Sequence, residues 1–205
     1  MSARAFAADQ LQPESFAFTP ENERQAQAAI AKFPPGRQQS AVIPLLDLAQ
    51  RQHGGWLPRA AIRTVAEMLH MPEMRGLEVA TFYTMFNLAP VGRHLVQLCR
   101  TTPCWLRDSE GVKRACLAHL GVGLGGTTAD GAFTVVEVEC LGACVNAPVV
   151  QINDDFYEDL DPAAMVRVLD DLTAGREVAP GSQDARRQLA AAVTGPAALV
   201  AERDG

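Results

Sequence analysis

Four of the five cysteines in this 205-residue chain fall into two close pairs. Cys99 and Cys104 have four residues between them, and Cys140 and Cys144 have three; thirty-five residues separate the pairs. Each pair follows a short β-like stretch, His94 to Leu98 before the first and Phe133 to Glu139 before the second. Two such loops can converge into one four-thiolate site. Soft thiolates select iron–sulfur clusters, zinc or copper(I) over hard ions.

Spacing narrows the choice without closing it. Zinc knuckles favour about two residues between ligands, because both sulfurs must reach one ion at about 2.3 Å. A 2Fe–2S cluster has two irons, each taking two thiolates, and tolerates wider loops. Neither the plant-type nor the bacterial two-cluster ferredoxin pattern is present, and no histidine follows either pair at Rieske-type spacing. A 2Fe–2S cluster is the leading reading; structural zinc and disulfides stay open at this point.

Disulfides are disfavoured by context. The first eighteen residues read neither as an export signal nor as an organellar one, and no apolar run approaches the length of a membrane span. Few cysteines without an export signal suggest a reducing compartment. Cys116 lies at helical spacing from Val112 and Leu120 and reads as a small buried thiol. A net charge of −6 argues against nucleic acid and anionic membrane surfaces. A hydrophobic content of 48% is ample for a core.

The pattern changes near Pro90. Before it, helices are expected from Pro20 to Phe33 behind a Thr19 cap, from Gln38 to Gln52, from Pro58 through Leu69, and from Pro72 to Tyr83. Short connections make them a small bundle. After it comes strand–helix–strand–strand–helix: strands at 94–98, 133–139, 148–153 and 155–157, helices at 105–120 and from Pro162 to Ala174. A parallel pair with a right-handed crossover would bring both cysteine loops to one end of the sheet. The organisation is therefore an extension at 1–17, a helical bundle at 18–89, an α/β domain at 90–175, and a mobile tail at 176–205 with one short helix from Ser182.

Other motifs carry less. Gly121 to Gly126 is glycine-rich but follows a helix, so the dinucleotide-binding context is missing. The Phe82–Phe86 segment is either packing or a partner-facing surface. His53, His70, His94 and His119 share no ligand spacing. Gly142, between Cys140 and Cys144, is expected to remove a Cβ that would collide with a cluster and to permit positive φ. Arg100 and Arg107 would raise a cluster's potential if they approach it.

The segments CRTTPC (99–104), ECLGAC (139–144), VNAPVVQIND (145–154) and GLEVATFYTMF (76–86) resemble the 2Fe–2S subunit of respiratory complex I, the family of the E subunit of NADH–quinone oxidoreductase. The likeness runs from about Phe18 to Gly175. It implies a thioredoxin-like 2Fe–2S ferredoxin domain behind an N-terminal helical bundle, an α/β fold. It implies one 2Fe–2S cluster held by Cys99, Cys104, Cys140 and Cys144, close to the flavin of an NADH-oxidising partner subunit. The flavin, NADH and quinone sites then belong to other subunits, so the chain is part of an enzyme without being catalytic alone. Further peripheral-arm subunits are implied partners, with no nucleic acid and no direct membrane insertion. The implied place is the inner face of the bacterial membrane, or the matrix side in a eukaryote. Equivalent subunits of NAD-linked formate dehydrogenases or hydrogenases are the alternative, and a zinc-stabilised interaction module is the alternative of a different class.

Overall fold

The computed structural model describes residues 5–184. The chain divides into two compact units between Val91 and Gly92.

The first unit is helical. α1 (Pro20–Ile30) opens as its sequence dictates: the Thr19 hydroxyl accepts from the Asn22 amide at 3.2 Å, and Pro20 occupies the first turn. It ends three residues before Phe33, in a turn. A 3-10 turn at Gln38–Ala41 leads into α2 (Val42–Gln52). α3 (Arg59–Met68) and α4 (Glu73–Phe82) follow. The apolar stripes read from the sequence meet in one core: Leu45, Leu46 and Ala49 from α2 pack with Ile62 and Val65 from α3, around the fully buried Leu57 and Phe86. Gly76 of α4 lies so close to α3 that a Cβ there would sit 3.0 Å from Ile62 Cγ2. Phe6, Phe16 and Phe18 also pack against this core, so much of the expected N-terminal extension belongs to the bundle.

Gln50 fixes the segment after α4. Its side-chain amide donates to the Met85 carbonyl at 3.1 Å and accepts from the Asn87 amide at 2.7 Å. That pins Phe86 inward while Phe82 stays 77% exposed. The aromatic segment is thus neither all packing nor all surface.

The second unit is a five-stranded sheet with helices. β1 (His94–Cys99) pairs in parallel with β2 (Phe133–Val138) and antiparallel with β3 (Val150–Ile152). β3 pairs antiparallel with β4 (Asp155–Glu158) through a turn at Asn153, whose φ is +55°. A short fifth strand, β5 (Gly181–Ser182), completes the spatial order β2-β1-β3-β4-β5. α5 (Thr102–Leu106) and α6 (Ser109–Leu120) make the crossover from β1 to β2. α7 (Pro162–Thr173), capped by Asp161, packs beside α6. Val96, Val112, Cys116, Val135, Met165 and Leu169 form the shared core.

Two expectations are corrected by the structure. The single helix at 105–120 is two helices, because Asp108 adopts a left-handed conformation, φ +67°, and its carboxylate caps α6 by accepting from the Gly111 amide at 3.1 Å. Asp tolerates that conformation because its short polar side chain bonds locally. The second concerns the end of the sheet. β5 pairs in parallel with β4, so the sheet continues past Gly175, and Ser182 is strand rather than helix. The remainder of the expected tail and of its short helix, 185–205, lies outside the described residues.

The glycine-rich connection is pinned rather than free. Gly125 N donates to Val135 O at 2.7 Å, and Val135 N donates to Gly126 O at 3.1 Å, so this loop covers the outer edge of β2.

Candidate metal centre

Cys99 is the last residue of β1, opposite Val138 in the parallel register. Cys140 lies two residues beyond that partner. The sequence placed both pairs in loops, but the structure uses four different local settings. Cys99 ends a strand, Cys104 is the third residue of α5, Cys140 lies in the loop after β2, and Cys144 opens a 3-10 turn, Cys144–Asn146. The β–helix–β crossover makes β1 and β2 parallel neighbours, so the segments that follow them leave from the same end of the sheet.

The four thiols form two unlike pairs. Cys99 and Cys104 are buried, 3% and 1% exposed, among Ala147, Val149, Leu141 and Phe156. Cys140 is exposed and Cys144 half-buried, with their sulfurs 3.3 Å apart. The pairs also feel one another: Cys99 interacts with Cys140 and Cys144, and Cys104 with Cys144.

Backbone amides are aimed at sulfur. The N–H groups of Thr101 and Leu141 serve Cys99, that of Gly142 serves Cys140, and that of Val149 serves Cys104. Burial pushes the Cys99 thiol up, but the Thr101 hydroxyl and these amides outweigh it and hold Cys99 below the ordinary thiol range. Burial and the hydrogen bond with Cys99 push Cys104 up to about 12. Cys140 is held down by its bond from Cys144, by the Gly142 amide and by Thr101; Cys144 is raised by giving that bond and by burial. In each pair one thiol shares its proton with the other. Metal binding removes both protons and leaves two thiolates.

The donor set fits a cluster of two metal centres. Two pairs, each with its own amide donors, match a group in which each metal takes two thiolates.

The remaining candidates have local roles. Cys116 is fully buried in the sheet–helix core and pushed up to about 12 by burial. His94 packs on Phe133 with centroids 5.0 Å apart, His119 contacts Asp170 at 2.9 Å, and His53 packs on Trp56. Arg100 pairs with Glu139 at 2.9 Å, whereas Arg107 lines a polar hollow with Asp108, Asp161 and Arg167. Sequence reasoning missed Thr101 and Val149. The only signal available was a hydroxyl residue two positions after a cysteine.

Comparison with known proteins adds independent findings. Residues 26–173 match the model of the thioredoxin-like [2Fe-2S] ferredoxin family. The chain is 57% identical over 158 residues to the E subunit of NADH-quinone oxidoreductase of Rickettsia bellii, covering 77% of this chain and 95% of that protein. It is 50% identical over 172 residues to mitochondrial NADH dehydrogenase [ubiquinone] flavoprotein 2 of Dictyostelium discoideum, covering 84% and 70%. Among solved structures, a crystal structure of an NAD+-reducing [NiFe]-hydrogenase superposes with a TM-score of 0.55 at 22% identity. That match covers 64% of this chain but 23% of the hydrogenase chain, and it is a likeness of fold.

Proposed function

This chain belongs to the thioredoxin-like [2Fe-2S] ferredoxin family, among the E subunits of NADH-quinone oxidoreductase, and on that premise we propose that it is the electron-transfer subunit beside the flavin subunit of such a complex. Its cofactor is one 2Fe–2S cluster. Cys99 and Cys104 hold one side of it, Cys140 and Cys144 the other. The observation that carries this reading is that the two thiol pairs follow the adjacent parallel strands β1 and β2, in a chain 57% identical to the Rickettsia bellii protein along 95% of that protein's length.

When bound, the cluster supplies one-electron oxidation and reduction. The chain's own residues hold and shield it. The sulfurs of Cys99 and Cys104 anchor the buried side, where Ala147 and Val149 exclude water. Amides of Thr101, Leu141, Gly142 and Val149 offset negative charge on the thiolates. The exposed side is that of Cys140 and Cys144, the side from which an electron has the least protein to cross.

That face also supports the partner assignment. Trp105 and Leu106, beside Cys104, are 60% and 70% exposed, and Val145, beside Cys144, is 86% exposed. Large apolar side chains crowded around a polar site are a mark of a covered surface. We assign this rim to the flavin-bearing subunit. No helix among the described residues is long and apolar enough to cross a membrane; attachment to the inner membrane face goes through the complex.

Anaerobic purification of the tagged chain with its partners tests the reading. Equal amounts of iron and acid-labile sulfide, a half-integer-spin EPR signal on reduction, and a co-purifying flavoprotein with NADH-oxidising activity are expected. Serine at each of the four cysteines in turn should lower cluster occupancy or change the spectrum. Zinc without an EPR signal would overturn it, and a co-purifying hydrogenase or formate dehydrogenase would assign the chain to the alternative complex.

A further inference from the structure

Thr101 is the N-cap residue of α5, yet its side chain makes no capping hydrogen bond. The usual recipients for such a cap are the N–H groups of the second and third helical residues. Here the second is Pro103, which has none. The hydroxyl lies instead 3.3 Å from Cys99 Sγ, within hydrogen-bonding range for sulfur. The same hydroxyl also helps hold the Cys140 thiol down, in the other cysteine loop.

We propose that Thr101 is a positioning residue that raises the reduction potential of the cluster by donating its hydroxyl proton to the ligating sulfur of Cys99. The inference rests on the reading that Cys99 is a cluster ligand. A metal-bound thiolate has no proton to give, so the hydroxyl is the only donor the contact allows. Reduction adds negative charge to the cluster and its sulfurs. A donor at 3.3 Å stabilises the reduced form more than the oxidised form. One hydroxyl carries one proton and serves one sulfur at a time; the direct contact assigns it to Cys99, with Cys140 as the competing acceptor. Thr101 is half-buried, so water screens the bond incompletely. The helix start does not depend on the hydroxyl, because Trp105 N already bonds the Thr101 carbonyl at 2.9 Å.

EPR-monitored redox titration of the purified complex tests this with three variants. Thr101→Val keeps the shape and removes the donor; its midpoint potential should fall while iron content and signal intensity stay at the unsubstituted level. Thr101→Ser restores the donor and should restore the potential. An unchanged midpoint in Thr101→Val would sink the proposal. So would loss of cluster iron in both Thr101→Val and Thr101→Ala, which would make the residue part of the scaffold instead. Cys99→Ser, measured alongside, separates the two levels: if it leaves the cluster spectrum intact, the ligand reading itself has failed.

Discussion

Arg100 Nη2 lies 2.9 Å from Glu139 Oε1, and the two residues are the chain neighbours of Cys99 and Cys140. A strap therefore joins the ends of the parallel strands where the two thiol pairs begin. The Arg100 amide adds a bond to the Val138 carbonyl at 3.3 Å. Both side chains are more than half exposed, so the pair contributes little to stability. With Cys99 and Cys140 as the proposed ligands, its effect is electrical: two opposite charges beside the cluster nearly cancel.

Breaking the strap from either end should move the cluster's potential in opposite directions. Glu139→Gln leaves a lone cation and should raise the midpoint. Arg100→Gln leaves a lone anion and should lower it, and the double substitution should return close to the starting value. Exposed charges are screened over about 8–10 Å at ordinary salt, so each shift should shrink as salt is raised in the redox titration. Single substitutions without any shift at low salt would place the pair electrically outside the site.

Gly142 has φ +90°, and a Cβ added to it would meet nothing within 4 Å of protein. The demand for glycine comes from the backbone, not from a crowded neighbour in the chain. A branched side chain in that region is strained by about 1–3 kcal/mol. Gly142→Val should turn the loop away and withdraw the Gly142 N–H from Cys140. The expected result is reduced cluster iron or a shifted midpoint with thermal unfolding of the sheet unit changed little. An unaltered EPR spectrum and midpoint would show that this amide has no part in the site.

The helical periods before Pro90 and the β-branched runs after it were legible because each buries one regular face. The Thr19 and Asp161 caps were legible for the same local reason: a short polar side chain next to proline. What escaped depends on contacts distant in sequence. Nothing in 176–182 marks a strand; Gly181 and Ser182 become one because β4 offers an open edge. The break between α5 and α6 is local, but it requires Asp108 to leave the helical region, which helical spacing hides. At the site, cysteine spacing pointed to two converging pairs. It could not show that one pair is buried and the other partly exposed, since that follows from where Ala147 and Val149 fold back.

That asymmetry sets an order of thiol reactivity. After iron removal under reducing conditions, Cys140 should alkylate first, being exposed and held below the ordinary thiol range. Cys104 and Cys116 should be last, each pushed up to about 12 and almost fully buried. At pH 8 a thiol with that value is only about one part in ten thousand thiolate. With the cluster in place, all five should resist, and Cys116 should label only on unfolding. Peptide mapping after timed alkylation reads the order; early labelling of Cys116 in folded protein would contradict its place in the core.

Gly92 stands where the chain enters β1, and there is no room beside it. A Cβ would lie 2.8 Å from the Phe133 carbonyl carbon, 2.9 Å from the Ala132 oxygen and 2.9 Å from the Phe133 nitrogen. All three are backbone atoms at the start of β2, which cannot swing away as a side-chain tip can. The Gly92 amide also donates to Thr134 Oγ1 at 2.7 Å, and Thr134 is 4% exposed. Gly92→Ala must therefore push β1 from β2 at the start of a register that runs to Cys99 opposite Val138. The expected cost is about 1–3 kcal/mol, in the range of overpacked cores. Thr134→Val should cost about 1–3 kcal/mol by leaving both the Gly92 N–H and the Thr127 hydroxyl without their partner. Because the two share the Gly92–Thr134 contact, the double variant should lose less than the two losses added. Urea unfolding of the three variants measures this. If Gly92→Ala matches the parent in midpoint and slope, the strands have room to part, and the tight entry to β1 is not what holds the two cysteine loops in register.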